Sequence, residues 1–277
     1  MRRTLLAAAL AAALAAVLAL AAGAAAAGRP CDVPEPALEM ARLGLQMADA
    51  TRAALGKIDD EVVLIARAGQ DLSKYGLTYS HLAFALREHP AGAWSVVHKL
   101  NACGTASSAL YDEGLLNFFA DSPFRYQAGI WRLAPAAQAR LKKALLGKKA
   151  ADYHEPRYSL VAYPFSTRYQ NSNGWVLEML AFAVAPGDEA HTRVSAQAWL
   201  KANGYAPTQL ELGALTRLGA RVTKANVAFD DHPPELRWSG RIQTVTVDSV
   251  VTWLRTLPNG CQAMGCPETR VALPPSP

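Results

Sequence analysis

Three polar side chains interrupt apolar segments of the sequence, and together they can support nucleophilic chemistry. His81 and His98 lie in short apolar segments, and Ser172 lies in a polar cluster that opens a longer apolar one. A histidine can remove the proton of a serine hydroxyl that attacks a carbonyl carbon, and a second polar side chain can orient that histidine. The sequence therefore predicts a nucleophile at Ser172, a base at His81 and an orienting residue at His98.

The two histidines are predicted to lie on neighbouring antiparallel strands. Residues 78–86 and 94–100 have the composition of strands, and the segment between them is rich in turn-forming residues. A four-residue loop at 88–91 places His81 directly opposite His98, with their Cβ atoms about 5 Å apart. His81 also shares its face of the strand with small residues, which leaves space above its ring.

Ser172 is predicted to lie at the N-terminus of a helix, within the sequence Asn171-Ser172-Asn173. The free N–H groups and the dipole of a helix N-terminus stabilise an anion, so they can also hold the oxyanion of a tetrahedral intermediate. Ser172 or Asn173 can equally serve as the N-cap of that helix with no chemical role. His81 and His98 likewise have an alternative interpretation as buried structural residues.

Other polar residues and the tryptophans are predicted to have structural roles. Arg67, Gln70 and Asp71 are expected on a loop surface or at the rim of a cleft. Glu178 is expected on the solvated surface of its helix, with an orientation toward Ser172 as the alternative. All six tryptophans are predicted to lie in or near the core: Trp94, Trp131, Trp175, Trp199, Trp238 and Trp253.

The pattern of apolar residues along the rest of the chain predicts one α+β domain over residues 28–277, with a helical C-terminal extension. Helices are predicted at 36–55, 111–120, 135–146, 171–184, 192–202, 209–218 and 249–257. Strands are predicted at 61–68, 78–86, 94–100, 126–133, 158–163, 227–229 and 241–247. The tail at 267–277 is rich in proline and is predicted to be mobile.

The N-terminus has the pattern of a signal peptide over residues 1–27. Arg2 and Arg3 precede an uninterrupted apolar run at 5–22, and small residues follow it. An uncleaved anchor is the alternative. Cleavage predicts a periplasmic or secreted chain of 250 residues (277 − 27) with a net charge of +3 (+5 − 2, since both arginines leave). Such a modest charge does not indicate a nucleic-acid partner.

The four cysteines of the chain fit disulfide bonds in an oxidising compartment. Four cysteines allow three pairings, and the short loop between Cys261 and Cys266 favours that pair. Cys31 then pairs with Cys103, which is otherwise the one alternative nucleophile near the histidines. The chain has no C-x-x-C, no glycine-rich nucleotide motif and no H-E-x-x-H, so the sequence predicts no cofactor and no metal.

Two stretches of the sequence resemble a secreted proteobacterial family called domain of unknown function 2145. One is residues 66–81, which end in Tyr79-Ser80-His81, and the other is residues 169–178, which contain Asn171-Ser172-Asn173-Gly174. The resemblance covers nearly all of the chain after the predicted signal peptide, and it implies no established activity.

A more distant likeness to a known group of enzymes implies a type of reaction. The sequence is similar to the permuted papain-like group in three features: a strand with Ser80-His81, a second strand with a polar residue, and a polar pair that opens a helix. That group includes NlpC-like cell-wall peptidases and lecithin retinol acyltransferase-like enzymes. The likeness implies an antiparallel sheet packed against helices, with His81 as base, His98 as the third polar residue and position 172 as nucleophile.

Position 172 departs from that pattern because it is serine where the group has cysteine. A thiol has a pKa near roughly 8.5 and ionises readily beside a histidine, whereas a hydroxyl is far less acidic. The likeness thus implies an exported cell-envelope hydrolase or acyltransferase with a Ser-His-His site, acting on a peptidoglycan peptide or a lipid acyl group. The alternatives are an inactive papain-like fold that binds a wall peptide or an envelope partner, and a structural periplasmic protein. The sequence does not indicate the oligomeric state.

Overall fold

The computed structural model describes residues 38–120 and 123–274. The predicted signal peptide at 1–27 and Cys31 lie outside the described residues. Within the described part, the chain is an α+β protein whose main element is a six-stranded antiparallel sheet. No helix of that part is long and apolar enough to cross a membrane.

The large sheet has the strand order β4-β3-β2-β1-β5-β8, with antiparallel pairing throughout. Its strands are β1 (Val62–Ala68), β2 (His81–Leu86), β3 (Ser95–Asn101), β4 (Ser108–Glu113), β5 (Arg125–Arg132) and β8 (Thr269–Ala272). A separate two-stranded antiparallel sheet consists of β6 (Thr208–Glu211) and β7 (Arg241–Thr244). A single-turn 3-10 helix at Ser73–Tyr75 lies in the loop after β1.

Nine helices of the described residues surround the two sheets. They are α1 (Leu38–Leu55), α2 (Leu115–Ala120), α3 (Pro135–Leu145), α4 (Lys149–Asp152), α5 (Ser172–Val184), α6 (Arg193–Ala202), α7 (Ala214–Thr223), α8 (Pro234–Ser239) and α9 (Val247–Thr256). Two of them begin with a reciprocal capping box, in which Thr192 bonds to Ser195 and Thr246 bonds to Ser249. Because such a box satisfies two otherwise unpaired N–H groups, it fixes where α6 and α9 start.

Helices cover both faces of the large sheet. One face packs against α3, α5, α6 and α9, and its side chains include Leu64, Phe84 and Trp131. The other face packs against α1 and α2, and its side chains include Ile65 and Ala83. Because both faces are covered, β1 and β2 are buried along their whole length and read in sequence as continuous apolar runs.

The hairpin of β2 and β3 has a different register from the predicted one. Its ladder runs from Phe84↔Val97 to Leu86↔Ser95, and the Trp94 N–H donates to the Arg87 carbonyl, so the loop contains six residues, 88–93. The predicted four-residue loop was therefore wrong by a two-residue shift. A shift of two residues keeps every side chain on its predicted face, because strand side chains alternate with period two.

Two predicted helices begin elsewhere. The segment predicted as a helix from Tyr111 continues β4 to Glu113, and α2 begins only after Gly114. The helix predicted at 209–218 is divided at Gly213, because residues before it pair with β7 and residues after it form α7. In both places a glycine separates two apolar segments that the sequence pattern joined.

Two predicted strands, 158–163 and 227–229, are irregular. These segments are joined by apolar packing of Val161 against Val227 and Phe229 and by hydrogen bonds of Ser159, and not by a ladder. The Ser159 hydroxyl donates to the Ala228 carbonyl at 3.0 Å and accepts from the Ala228 N–H at 3.1 Å. The Pro-rich tail contains β8, whose residues 269–272 pair with β5.

Five of the six tryptophans lie in or beside the core as predicted, and Trp238 is the exception with 73% of its surface exposed. The predicted disulfide between Cys261 and Cys266 is confirmed. The second predicted pair includes Cys31, which lies outside the described residues, and none of the cysteines within them is a free thiol.

Candidate active site

Ser172, His81 and His98 meet in one hydrogen-bonded row. The Ser172 Oγ lies 3.2 Å from His81 Nδ1, and His81 Nε2 lies 2.9 Å from His98 Nδ1. Both imidazole rings and the serine are buried, with 7% exposure for His81 and Ser172 and 0% for His98. The three residues lie far apart in the sequence, so the tertiary fold brings together the set that the sequence singled out.

The polar cluster before α5 places Ser172 at the first residue of the helix. Asn171 is the N-cap, and its side-chain oxygen accepts from the Gly174 N–H at 2.7 Å. The Asn173 oxygen accepts from the Leu82 N–H at 2.9 Å, which ties the helix start to β2 beside His81. Neither predicted N-cap, Ser172 or Asn173, has that role, so the serine hydroxyl is left to contact His81.

A fourth residue, Glu113, ends the row. Its Oε2 lies 3.2 Å from His98 Nε2, and its hydrogen bond from His98 is the largest of the effects that lower the pKa of this carboxyl. An ionised carboxylate only accepts, so His98 carries its proton on Nε2 and accepts at Nδ1 from His81. His81 then presents an unprotonated Nδ1 to the Ser172 hydroxyl, which is the tautomer that a general base requires.

Phe118 of α2 fills the space above the two imidazole rings. Its ring centroid lies 5.9 Å from that of His81 and 5.6 Å from that of His98. Burial is the main effect on His98 and lowers its pKa, although the Glu113 carboxylate opposes this shift. His98 therefore stays neutral at neutral pH and can relay the orienting effect of Glu113 to His81.

The two histidines are diagonal rather than directly opposite neighbours. The register of the ladder between β2 and β3 places His98 opposite Ala83, two residues from His81. Diagonal side chains on one face of a sheet are still close enough for long or aromatic side chains to touch. The small Ala83 between them leaves the imidazole rings free to lean together.

Tyr158 brings a phenol hydroxyl to the nucleophile. Tyr158 and Ser172 line the same cleft, and burial raises the pKa of the Tyr158 phenol while interactions with the Ser172 side chain and backbone oppose that shift. The Ser172 N–H belongs to the first turn of α5, where N–H groups have no partner within the helix. A phenol and an N–H group thus converge on one position beside the Ser172 oxygen.

The row opens into a cleft of about 850 Å³. This volume lies within the range of about 300–1,000 Å³ that is usual for small-molecule sites. The wall is mixed, with about as many polar as apolar residues, and its apolar and aromatic residues include Leu72, Tyr75, Leu77, Tyr79, Leu160, Val161, Leu210, Leu212 and Val245. Arg67, Lys99 and Lys224 also line the cleft, together with one acidic residue, Glu113. The cleft therefore suits a substrate with an apolar portion and a polar or anionic portion.

Two polar residues have surroundings that differ in part or wholly from those predicted. Arg67 lies within β1 directly opposite His81 and its guanidinium donates to the Phe118 carbonyl, so it is not on a loop surface, although Arg67 and Gln70 both line the cleft as the alternative expected. Glu178 faces neither solvent nor Ser172 but is buried, with Arg193 as its ion-pair partner.

Sequence reasoning missed Glu113 and Tyr158. Glu113 was hidden because β4 was taken as the start of a helix, although Gly114 directly after it is a usual boundary residue. Tyr158 lies in an irregular segment with no periodic pattern. No group of three or more potential metal ligands occurs within the described residues.

Comparison with known proteins gives a family and no function. A family model with the description "Uncharacterized protein conserved in bacteria (DUF2145)" matches residues 54–254. No curated protein and no solved structure matches the chain significantly.

Proposed function

The chain belongs to this bacterial family, domain of unknown function 2145, and we propose from its site that it is an exported serine-dependent hydrolase or acyltransferase of the cell envelope. The observation that carries the proposal is the row Ser172–His81–His98–Glu113, whose three hydrogen bonds measure 3.2, 2.9 and 3.2 Å. The order of His81 before Ser172 supports a permuted papain-like arrangement.

The proposed first step is attack by the Ser172 oxygen on an ester or amide carbonyl. His81 takes the hydroxyl proton at Nδ1 and later gives it to the leaving alcohol or amine, which leaves an acyl group on Ser172. In hydrolysis, His81 then takes a proton from water, whose oxygen attacks the acyl carbon, and His81 returns that proton to the Ser172 oxygen as the acid leaves. In transfer, an acceptor alcohol or amine replaces the water.

The oxyanion of this step has two donors in the proposal. One is the Ser172 N–H, and the other is the Tyr158 hydroxyl, which lines the same cleft and interacts with Ser172. A carbonyl oxygen that enters between them receives both hydrogen bonds at the position where charge develops. The positive end of the α5 dipole adds to the same stabilisation.

The substrate class follows from the cleft wall. Apolar and aromatic side chains fit an acyl chain, and the cations Arg67 and Lys224 fit an anionic portion of the same molecule. A lipid acyl ester meets both conditions, and a peptidoglycan peptide with a free carboxylate meets the second. We therefore propose an anionic acyl ester as substrate, with a wall peptide as second candidate.

A fluorophosphonate probe tests the proposal without knowledge of the natural substrate. The probe phosphonylates an activated serine with loss of fluoride, so we expect a covalent adduct on the peptide that contains Ser172, found by mass spectrometry. Ser172→Ala should take up no probe, and Ser239→Ala, which changes an exposed serine of α8, should label like the wild type.

Absence of labelling in the wild type would contradict the catalytic proposal. The serine at the position where the papain-like group has cysteine gives a specific reason to consider the alternative, an inactive cleft that binds a wall peptide or an envelope partner. The Ser172→Cys variant separates the catalytic proposal from the inactive cleft. If this variant reacts with a thiol-directed probe while Ser172 of the wild type does not react with the fluorophosphonate, the inactive cleft is favoured.

The Glu113 carboxylate is predicted to set the pH dependence of turnover. Glu113→Gln removes the negative charge that favours protonated imidazole in the row, so we expect the acid limb of the pH–rate profile to move to lower pH. The amide can also donate to His98 and invert the tautomers, so the plateau rate should fall by about tenfold or more. The measurement is ester hydrolysis between about pH 4 and 9, a range that brackets the ordinary histidine pKa.

Asp112→Asn is the matched control for this prediction. Asp112 precedes Glu113 on β4, and its side chain is 51% exposed and faces His89 at 3.6 Å. Asp112 makes the smallest of the contributions to the pKa of His98, so the profile of Asp112→Asn should shift much less than that of Glu113→Gln and its plateau should match the wild type. If Glu113→Gln also left the limb and the plateau unchanged, Glu113 would have no part in the reaction.

A further inference from the structure

Helix α7 presents its apolar side chains to solvent. Leu215, Leu218 and Val222 are 86%, 62% and 61% exposed, and their spacing places them on one face of the helix. No residue of α7 is buried, and its inner contacts come from Ala220 and from Arg217, which donates to the Leu212 carbonyl. A helix whose apolar face points away from the protein needs an external surface to cover that face.

Helix α7 and the residues that follow it up to Phe229 carry only positive charge. From Gly213 to Phe229 the chain contains Arg217, Arg221 and Lys224 and no acidic residue. No acidic side chain of the described residues forms an ion pair with any of these three cations. Aliphatic residues on one face with cations beside them are the pattern of helices that lie in the interface of an anionic membrane.

An exposed tryptophan lies near the start of α7. Trp238 is 73% exposed, and the Arg237 guanidinium lies over its ring at 4.8 Å. The Leu212 N–H donates to the Gly240 carbonyl, which joins the end of α8 to the residues just before α7. Tryptophan side chains are enriched at membrane–water interfaces because their rings are apolar with one polar N–H.

The position of α7 relates this surface to the cleft. Leu212, just before the helix, and Lys224, just after it, both line the cleft that contains Ser172. We propose that α7 docks the protein on an anionic lipid surface, with Leu215, Leu218 and Val222 in the interfacial region and the exposed Arg221 and Lys224 at the headgroups. This docking places the cleft mouth at the bilayer and goes beyond the proposed chemistry, since it needs no turnover.

A second copy of the chain fits this surface less well. A stable protein interface buries roughly 800 Å² on each partner with about 20–30 residues, whereas the exposed apolar face of α7 contains three aliphatic side chains. A two-fold pairing of α7 would also bring the same cations toward one another, which is unfavourable. Anionic headgroups neutralise those cations instead.

Hydrogen–deuterium exchange on the full chain carrying Ser172→Ala tests the docking separately from catalysis. We expect the amides at 213–224 to exchange about tenfold more slowly with phosphatidylglycerol vesicles than without vesicles, because docking shields the helix and suppresses its opening. With phosphatidylcholine vesicles the slowing should be largely absent. Comparing the two vesicle types removes any contribution of the N-terminal apolar run, which is present in both.

Two variants complete the test. In the triple variant Leu215→Ser/Leu218→Ser/Val222→Ser, phosphatidylglycerol vesicles should no longer slow amide exchange at 213–224. Its circular dichroism spectrum should match that of the Ser172→Ala parent, because the replaced side chains are exposed. The matched control is Val194→Ser on α6, where the replaced valine is 68% exposed, and it should behave like the parent. The proposal would be overturned if amide exchange at 213–224 slowed equally with both vesicle types or with neither. It would also be overturned, in favour of a second copy of the chain, if exchange without vesicles slowed as the protein concentration rose.

Discussion

Ser172→Ala and His81→Ala are each expected to reduce acyl-ester hydrolysis by about 10³-fold or more, because nucleophile and base act as one unit. The Ser172 Oγ and the His81 Nδ1 are 3.2 Å apart, within reach of direct proton transfer. Combining the two substitutions should add little to either alone. Initial rates with a chromogenic acyl ester and with purified muropeptides give the measurement.

The control must keep the fold while removing only the chemistry. Ser172→Ala removes one oxygen from the first residue of α5 and leaves the Asn171 cap intact, so its melting temperature should stay close to that of the wild type. Equal rates in the wild type and in both variants would show that the row has no role in turnover. A loss in His81→Ala alone would move the nucleophile to another residue.

Arg193→Met is expected to destabilise the protein by about 3–5 kcal/mol, because it leaves the Glu178 carboxylate buried without its countercharge. Arg193 donates to this carboxylate from Nε at 2.8 Å and from Nη2 at 3.1 Å, and Gln170 and Gln197 donate at 2.6 and 2.8 Å. Burial raises the pKa of Glu178, and Arg193 opposes that shift. Urea unfolding at neutral pH measures the change in the free energy of unfolding.

The pH dependence of this variant gives a second, independent readout. Without Arg193 the folded state favours protonated Glu178 more strongly than the unfolded state does, so it binds the proton more tightly. Lys99 and His154, whose pKa values are lowered to about 7 and about 4, act in both proteins with the opposite sign, so the expected result is a difference: the loss of unfolding free energy of Arg193→Met relative to the wild type should shrink as the pH falls from neutral toward about 5. A deficit that is constant over that range would contradict the assignment to Glu178.

Two further variants calibrate the size of the effect. Arg193→Met/Glu178→Gln should recover most of the loss, because a neutral amide needs no countercharge and keeps hydrogen-bonding groups. Arg168→Met breaks an exposed pair, in which Arg168 and Asp230 are 2.7 Å apart and 52% and 36% exposed, and it should cost less than about 1 kcal/mol.

The residues of the row could be predicted from the sequence because polar side chains in apolar segments are costly without a partner. His81, His98 and Ser172 each interrupt such a segment, and their faces follow from strand alternation and helix position. The exact register was not needed, since a shift of two residues preserves the face. Their hydrogen bonds are a finding of the structure, whereas their catalytic roles stay a proposal.

Glu113 and Tyr158 could not be predicted, and the reasons differ. Glu113 lies where an apolar run passes from strand to helix, and short runs of that kind are compatible with either. Tyr158 lies in a segment whose backbone partners, such as Ala106 for the Tyr158 N–H, are distant in sequence. Glu178 was misplaced because a single glutamate in an apolar helix is expected at the surface unless a partner such as Arg193 is already known.

The segment around β7 anchors the nucleophile as well as forming its own small sheet. The Asn171 and Asn173 amides both donate to the Val245 carbonyl, and Asn171 donates in addition to Thr244. A chain truncated ahead of Thr244 would remove these acceptors, so the start of α5 would be held only by the Leu82 N–H and by the Ser80 and Leu160 carbonyls. Residues 244–245 therefore belong to any minimal functional fragment, and a truncation that reaches them also removes α9 and the β8 strand of the large sheet.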